Sequence, residues 1–374
     1  MFRPAIQKTQ WLVGLAIFNI LMLVWATNSV SQEKAICYDH KIEASTLMQR
    51  AMDVLKISQI GENGTFVGDS ENDPNKTMLI GTKFSLTTTD IGDLDAKLTT
   101  LNPNMAAMIV DMFMQIGLTK HDTIAVTCTG SMPGANLALY AACEVTGVTP
   151  IIISSVGASQ WGATNPYFTW LDMETILYKE KVFSHKSIAS SIGGGGDTGK
   201  GLTIAGRDLL WESIYRNDVP LIQEDSLHQS INKRIEFFEE HNSLFNYQAL
   251  INIGGGAASV GPRINTKLIR PGVSTPNSLK GLSGRSVIRH FARHNIPVIH
   301  LQNIRKLARE YNLPIAPIPS PEIGLGTLFS SPQYNLVITI IALFLSIIAL
   351  VSVGTYSHNQ IKKRMESYEP DSII

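Results

Sequence analysis

Three stretches of this chain place reactive or ligand-binding residue types where the backbone can assist them. Ser131 lies in the turn Thr129-Gly130-Ser131-Met132-Pro133-Gly134, between a β-branched run (residues 123–128) and a helical pattern (135–146). A hydroxyl at a strand-to-helix turn sits beside free backbone N–H groups, so Ser131 is a candidate nucleophile, helix cap or carboxylate binder, with Gly130 and Gly134 letting a ligand approach. The turn is not G-x-S-x-G, and spacing assembles no triad from Ser131 with Asp172, His185 or His300. Residues 194–201 read GGGDTGKG, which fits the first seven positions of a phosphate loop but puts Gly201 where Ser or Thr would bind magnesium. A glycine loop or hinge is the simpler reading, with Asp197 as a candidate ligand contact. Gly254, Gly255 and Gly256, followed by Ala257, Ala258 and Ser259, come directly after the apolar run 250–253. Their amides suit a nest for a carboxylate or phosphate, or a tight turn.

Charge supplies a fourth signal. The chain has 374 residues with 31 Lys plus Arg against 31 Asp plus Glu, which excludes a wholly basic nucleic-acid binder and a disordered polyelectrolyte. Within that balance, residues 241–309 contain no Asp or Glu but carry Arg263, Lys267, Arg270, Lys280, Arg285, Arg289, Arg293, Arg305, Lys306 and Arg309. A field of one sign attracts anions, so Arg263, Arg285, Arg289 and Arg293 join the candidate ligand contacts. A partner's acidic surface or anionic lipid headgroups would suit the same block. No metal site or cofactor is indicated: no His or Cys cluster has zinc-like spacing, and Asp90, Asp93 and Asp95 lack the rest of a calcium loop. The three cysteines are too few for a disulfide scaffold, and Cys128 and Cys143 are expected at different heights, unbridged.

These residues need elements to hold them. Two apolar segments bracket the chain: residues 11–30, read as a transmembrane helix or a signal peptide, and 336–355, with no charge from 336 to 354. Lys362, Lys363 and Arg364 follow the second, whereas 311–335 holds no Lys or Arg, so the positive-inside rule puts both termini (1–10 and 356–374) in the cytoplasm. Residues 31–313 then form an extracytoplasmic domain, joined through a Pro-rich stalk, 314–335, to the second span. Alternating patterns predict helices at 42–57, 104–116, 135–146, 286–294 and 304–311, and strands at 123–128, 151–155, 250–253 and 297–301, with 77–85 extended. The expectation is a three-layer α/β domain with parallel βαβ units, as one body or as two lobes meeting near 190–205. The aromatic group Trp161, Tyr167, Phe168 and Trp170 reads as core, with a ligand wall as the alternative.

Residues 154–174 (SSVGASQWGATNPYFTWLDME), 193–202, 251–261 (INIGGGAASVG) and 297–301 resemble the poly-γ-glutamate system protein family, and the similarity extends across the domain and both spans. The resemblance implies a bacterial membrane protein, an accessory to the capsule-like poly-γ-glutamate synthesis and export machinery, with the synthase's membrane components and the lipid bilayer as partners. It carries no catalytic residue set. A repeating carboxylate chain is the kind of polyanion that the basic block would hold. The expected function is binding or guiding that polymer; the alternative is hydrolysis or transfer of γ-glutamyl amide bonds with Ser131 as nucleophile. A purely structural partner is the third reading.

Overall fold

The computed structural model describes residues 9–60 and 71–366, with the side chains of 364–366 outside that description; the expected cytoplasmic segments 1–10 and 356–374 therefore lie partly outside it. In chain order the elements are α1 (Thr9–Thr27), β1 (Val30–Lys34), α2 (Tyr38–Ile60), β2 (Thr88–Asp90), α3 (Leu94–Thr100), α4 (Asn104–Gln115), β3 (Thr123–Thr129), α5 (Pro133–Thr146), β4 (Thr149–Ser155), β5 (Ala158–Ser159), α6 (Trp170–Lys179) and β6 (Ser187–Ser191). There follow α7 (Ile204–Arg216), α8 (Leu227–His241), β7 (Tyr247–Ile253), α9 (Ala257–Val260), α10 (Asn265–Leu268), β8 (Gly272–Ser274), α11 (Pro276–Leu279), α12 (Val287–Arg293), β9 (Val298–Leu301), α13 (Ile304–Glu310), β10 (Ser330–Tyr334) and α14 (Leu336–Glu366).

Two units result, residues 1–34 with 330–374, and 35–329. The second is an α/β domain on a six-stranded sheet of order β6-β4-β3-β7-β9-β8, parallel throughout except for β8, which runs antiparallel to β9. Strand residues point alternately to opposite faces, and both faces are covered. Ile124, Val126 and Cys128 pack with α2, α4, α5 and α6 on one side. Ala125, Ile153 and Leu250 pack with α8 and α12 on the other. Burial on both faces is why β3 and β4 are nearly unbroken apolar runs rather than alternating ones.

One sheet passes through both halves of the sequence, so the alternative of two lobes divided near 190–205 is not realised; that region is a loop beyond the carboxyl end of β6. The extended segment expected at 77–85 is likewise not a strand. Asp73 accepts hydrogen bonds from Thr77 Oγ1 and from the Met78 N–H at 2.8 Å, and Lys76 and Met78 take positive φ, so local side-chain bonds outcompete a ladder. A short parallel pair, β2 with β5, lies just downstream instead.

The expected stalk is also corrected. Leu328 and Phe329 are buried, the Ala316 N–H donates to Thr99 Oγ1 at 2.9 Å, Asn104 Nδ2 donates to the Glu322 carbonyl at 3.0 Å, and Lys41 Nζ donates to the Leu328 carbonyl at 3.0 Å. Backbone groups of this segment thus find partners on the domain, and residues 313–329 belong to it. Close approach of α5 to the end of α3 requires Gly134: a Cβ there would collide with the Thr100 carbonyl. Gly134→Ala is expected to lower stability by about 1–3 kcal/mol through overpacking, read as a reduced denaturant midpoint; an unchanged midpoint would refute that contact.

In the other unit, α1 packs against α14, with the Trp11 and Tyr356 rings 5.5 Å apart, and β1 pairs antiparallel with β10, Val30 opposite Tyr334. The helices Thr9–Thr27 and Leu336–Lys363 are long and apolar enough to cross a membrane, and almost none of their apolar surface is buried.

Candidate functional site

From β3 the chain winds outward through β4 to β6, then returns to β7 on the opposite side of β3. In open parallel sheets, the crevice where strand order reverses, outside the carboxyl ends, is where ligands bind. A cleft of about 500 Å³ lies there. Thr129 at the end of β3 and Ser131 just after it line it, with Ser155 at the end of β4, Ser159 on β5, Gly193, Gly194 and Lys200 after β6, Gly254 to Gly256 after β7, and Gln302 after β9. Asp93 and Lys97, at the start of α3 and within it, complete one wall with Asp90, and Arg263 stands at another.

Lys97 is 2% exposed although it sits on a short helix. Asp93 caps that helix, accepting from the Ala96 N–H at 3.3 Å, and its carboxylate is gripped by Arg305 through two bonds of 2.8 Å. That guanidinium holds Asp93 below the usual carboxylate range. The Lys97 amine donates to Ser159 Oγ at 2.8 Å and to the Ser131 carbonyl. Burial pushes its pKa down to about 7, against a smaller opposing pull from Asp93. The Ser159 N–H donates to Ser131 Oγ at 3.0 Å, so one amine and two serines draw α3, the β3 turn and β5 together.

Under the glycine loop lies an ion pair. Arg234 Nη2 and Asp197 Oδ2 are 2.9 Å apart, with side chains 2% and 3% exposed. Ser191 Oγ donates to Asp197 at 2.7 Å, Ser230 Oγ donates to it as well, and Arg234 donates to Ser155 Oγ at 3.0 Å. Both carboxylate oxygens are committed, so Asp197, which also borders the cleft, anchors the glycine loop. A second row of polar side chains crosses the sheet. Thr127 Oγ1 donates to Asn252 Oδ1 at 2.8 Å, and Asn252 Nδ2 donates to the Gly254 carbonyl and to His300 Nδ1 at 2.8 and 2.9 Å. Because an amide nitrogen can only donate, Nδ1 accepts, and Nε2–H donates to Gln302 Oε1 at 2.9 Å. Burial lowers the His300 pKa to about 4, which keeps this ring neutral and the Gly254 turn pinned.

The structure therefore divides the residues singled out from the sequence. Ser131, Asp197, Gly254, Gly255, Gly256 and Arg263 line the cleft. Gly130 and Gly134 do not: a Cβ on either would strike the Val156 or Thr100 carbonyl, so their role is close packing. Ser259 is buried within α9. Arg285, Arg289 and Arg293 lie outside the lining, where Arg285 bonds His228 at 2.7 Å and Arg289 bonds the Gly284 carbonyl. A run of like charge in sequence is thus spread over several short helices, and only Arg263 of the block faces the cleft. His185 faces Glu144 at 3.8 Å, Asp172 caps α6 and pairs with Arg216, and His300 is committed to Asn252 and Gln302, so none of them serves Ser131. Of the aromatic group, Phe168 and Trp170 are core, but Tyr167 is 73% exposed. The three cysteines are free.

Lys97, Ser159, Arg234 and Asn252 escaped the sequence reading. A lysine on a seven-residue helix looks solvated, and nothing local signals that it is 2% exposed. Comparison with protein-family models, with curated proteins and with solved structures finds no match for this chain.

Proposed function

We propose that this chain is a membrane-anchored accessory component of bacterial poly-γ-glutamate synthesis and export, whose α/β domain lies outside the membrane and holds the polymer in the cleft at the carboxyl ends of β3 and β7. The observation that carries the reading is the lining of that cleft. Arg263 and Lys200 present cationic groups, two glycine turns present backbone at close range, and Asp93 is already neutralised by Arg305. Polar Thr129, Ser131, Ser155 and Gln302 suit the amide groups that separate successive carboxylates along such a chain. The sequence resemblance supports the same polymer, and two apolar helices, the second followed by Lys362, Lys363 and Arg364, support anchoring with both termini in the cytoplasm.

The test is fluorescence anisotropy of labelled poly-γ-glutamate titrated with the full chain in detergent micelles. Binding is expected at low salt, falling as salt rises, and the double variant Arg263→Glu with Lys200→Glu is expected to weaken it by about tenfold or more. Equal affinity for the double variant, or for an uncharged polyamide, overturns the reading.

A further inference from the structure

We infer that the cleft is catalytic as well as binding, with Ser159 as nucleophile and Lys97 as its general base, acting on amide bonds of a carboxylate-bearing polymer; the choice of polymer rests on the function proposed above. The argument begins with geometry. Lys97 Nζ lies 2.8 Å from Ser159 Oγ, within the reach a base needs, and both residues line the same cleft. Ser159 is half-buried on β5, and Lys97 is 2% exposed. Among the described residues this buried amine has no carboxylate in contact and donates to the Ser131 carbonyl and the Ser159 hydroxyl, and its pKa near 7 leaves a substantial unprotonated fraction at neutral pH. Ser131, the candidate nucleophile from sequence, is placed differently. Its hydroxyl oxygen accepts the Ser159 N–H at 3.0 Å and receives nothing from Lys97, so Ser131 positions Ser159.

The chemistry balances without a cofactor. As Ser159 Oγ bonds to the amide carbonyl carbon, its proton passes to the neutral Lys97 amine. The resulting ammonium hands that proton to the departing nitrogen as the C–N bond breaks, leaving an ester on Ser159 and a free amine. Water then attacks the ester, giving its proton to Lys97; the C–Oγ bond breaks, Ser159 regains the proton, and a carboxylic acid leaves. An incoming amine in place of water would transfer the chain instead.

The experiment uses the full chain in detergent micelles with two readouts. One is labelling by a fluorophosphonate serine probe, located by peptide mass spectrometry; the other is poly-γ-glutamate length by size-exclusion chromatography with light scattering. Labelling is expected at Ser159, rising with pH through about 7 as Lys97 loses its proton. Ser159→Ala should abolish labelling and polymer shortening. Lys97→Arg, which keeps the charge but cannot act as a base, should reduce both by about 100-fold or more, and Ser131→Ala, which removes the acceptor of the Ser159 N–H, should slow labelling without moving the label from Ser159. Polymer bound by wild type but neither shortened nor accompanied by Ser159 labelling overturns the catalytic inference and leaves the binding reading standing. Ser159 labelling with no polymer bound supports the dyad and overturns the choice of polymer. A Lys97→Arg variant that is labelled at the wild-type rate assigns the lysine a merely structural role and also overturns the inference.

Discussion

Replacing Arg234 with methionine is expected to cost the α/β domain about 3–5 kcal/mol, the usual penalty for stranding one member of a buried ion pair. Asp197 would keep its Ser191 and Ser230 donors but lose the guanidinium that reaches both oxygens, in a site where its side chain is 3% exposed. The loss would propagate, because Asp197 holds positive φ in the glycine loop after β6 that borders the cleft. Arg234→Met combined with Asp197→Asn should regain a good part of the loss, since a neutral amide can accept from one serine through its oxygen and donate to the other serine's oxygen through its nitrogen, without a buried charge. Chemical denaturation followed by tryptophan fluorescence reads both. A loss below about 1 kcal/mol for Arg234→Met would mean that water reaches the pair and that the loop is held by something else.

The second large effect is a pH dependence. The Lys97 pKa falls from 10.5 to about 7 on folding, so between those values the unfolded chain binds more protons than the folded one. Stability contributed at this site is therefore full above about 10.5, declines as pH falls through the window, and is lost below about 7, with a limiting slope of about 1.4 kcal/mol per pH unit. Lys97→Met removes the titrating group. The stability of wild type relative to Lys97→Met should accordingly rise by several kcal/mol from pH 7 to pH 10, and the variant's own profile should be flatter across that range. Parallel profiles would place the amine in contact with water and remove the physical basis for its low pKa.

These two effects rest on residues of opposite visibility. Asp197 stood out because it lies in a glycine-rich loop, but its partner on α8, 37 residues on, is an ordinary helical arginine in sequence. The glycine turn at 254–256 was legible as an anion-binding or tight turn, since three glycines directly after an apolar strand have few other uses. Asn252, which pins that turn through the Gly254 carbonyl, was hidden inside the strand itself. Ser131 was found because turn position is local information. Ser159 was missed because its significance comes entirely from a lysine 62 residues away.

The amino-acid order alone determined the α/β class, the β3–α5–β4 unit, the glycine turns and two apolar segments at the ends. Each depends on hydrophobic period, β-branching or turn chemistry within a contiguous stretch. Tertiary structure alone decided that one sheet joins both halves, that residues 313–329 lie against the domain, and that the basic block disperses instead of converging. It also made Lys97 a buried amine facing a serine. Burial and the meeting of distant segments depend on crossover connections that bring residues 93–97, 131, 159, 193–200, 254–263 and 302 to one sheet edge, and the desolvation that sets the lysine's proton affinity exists only once they have met.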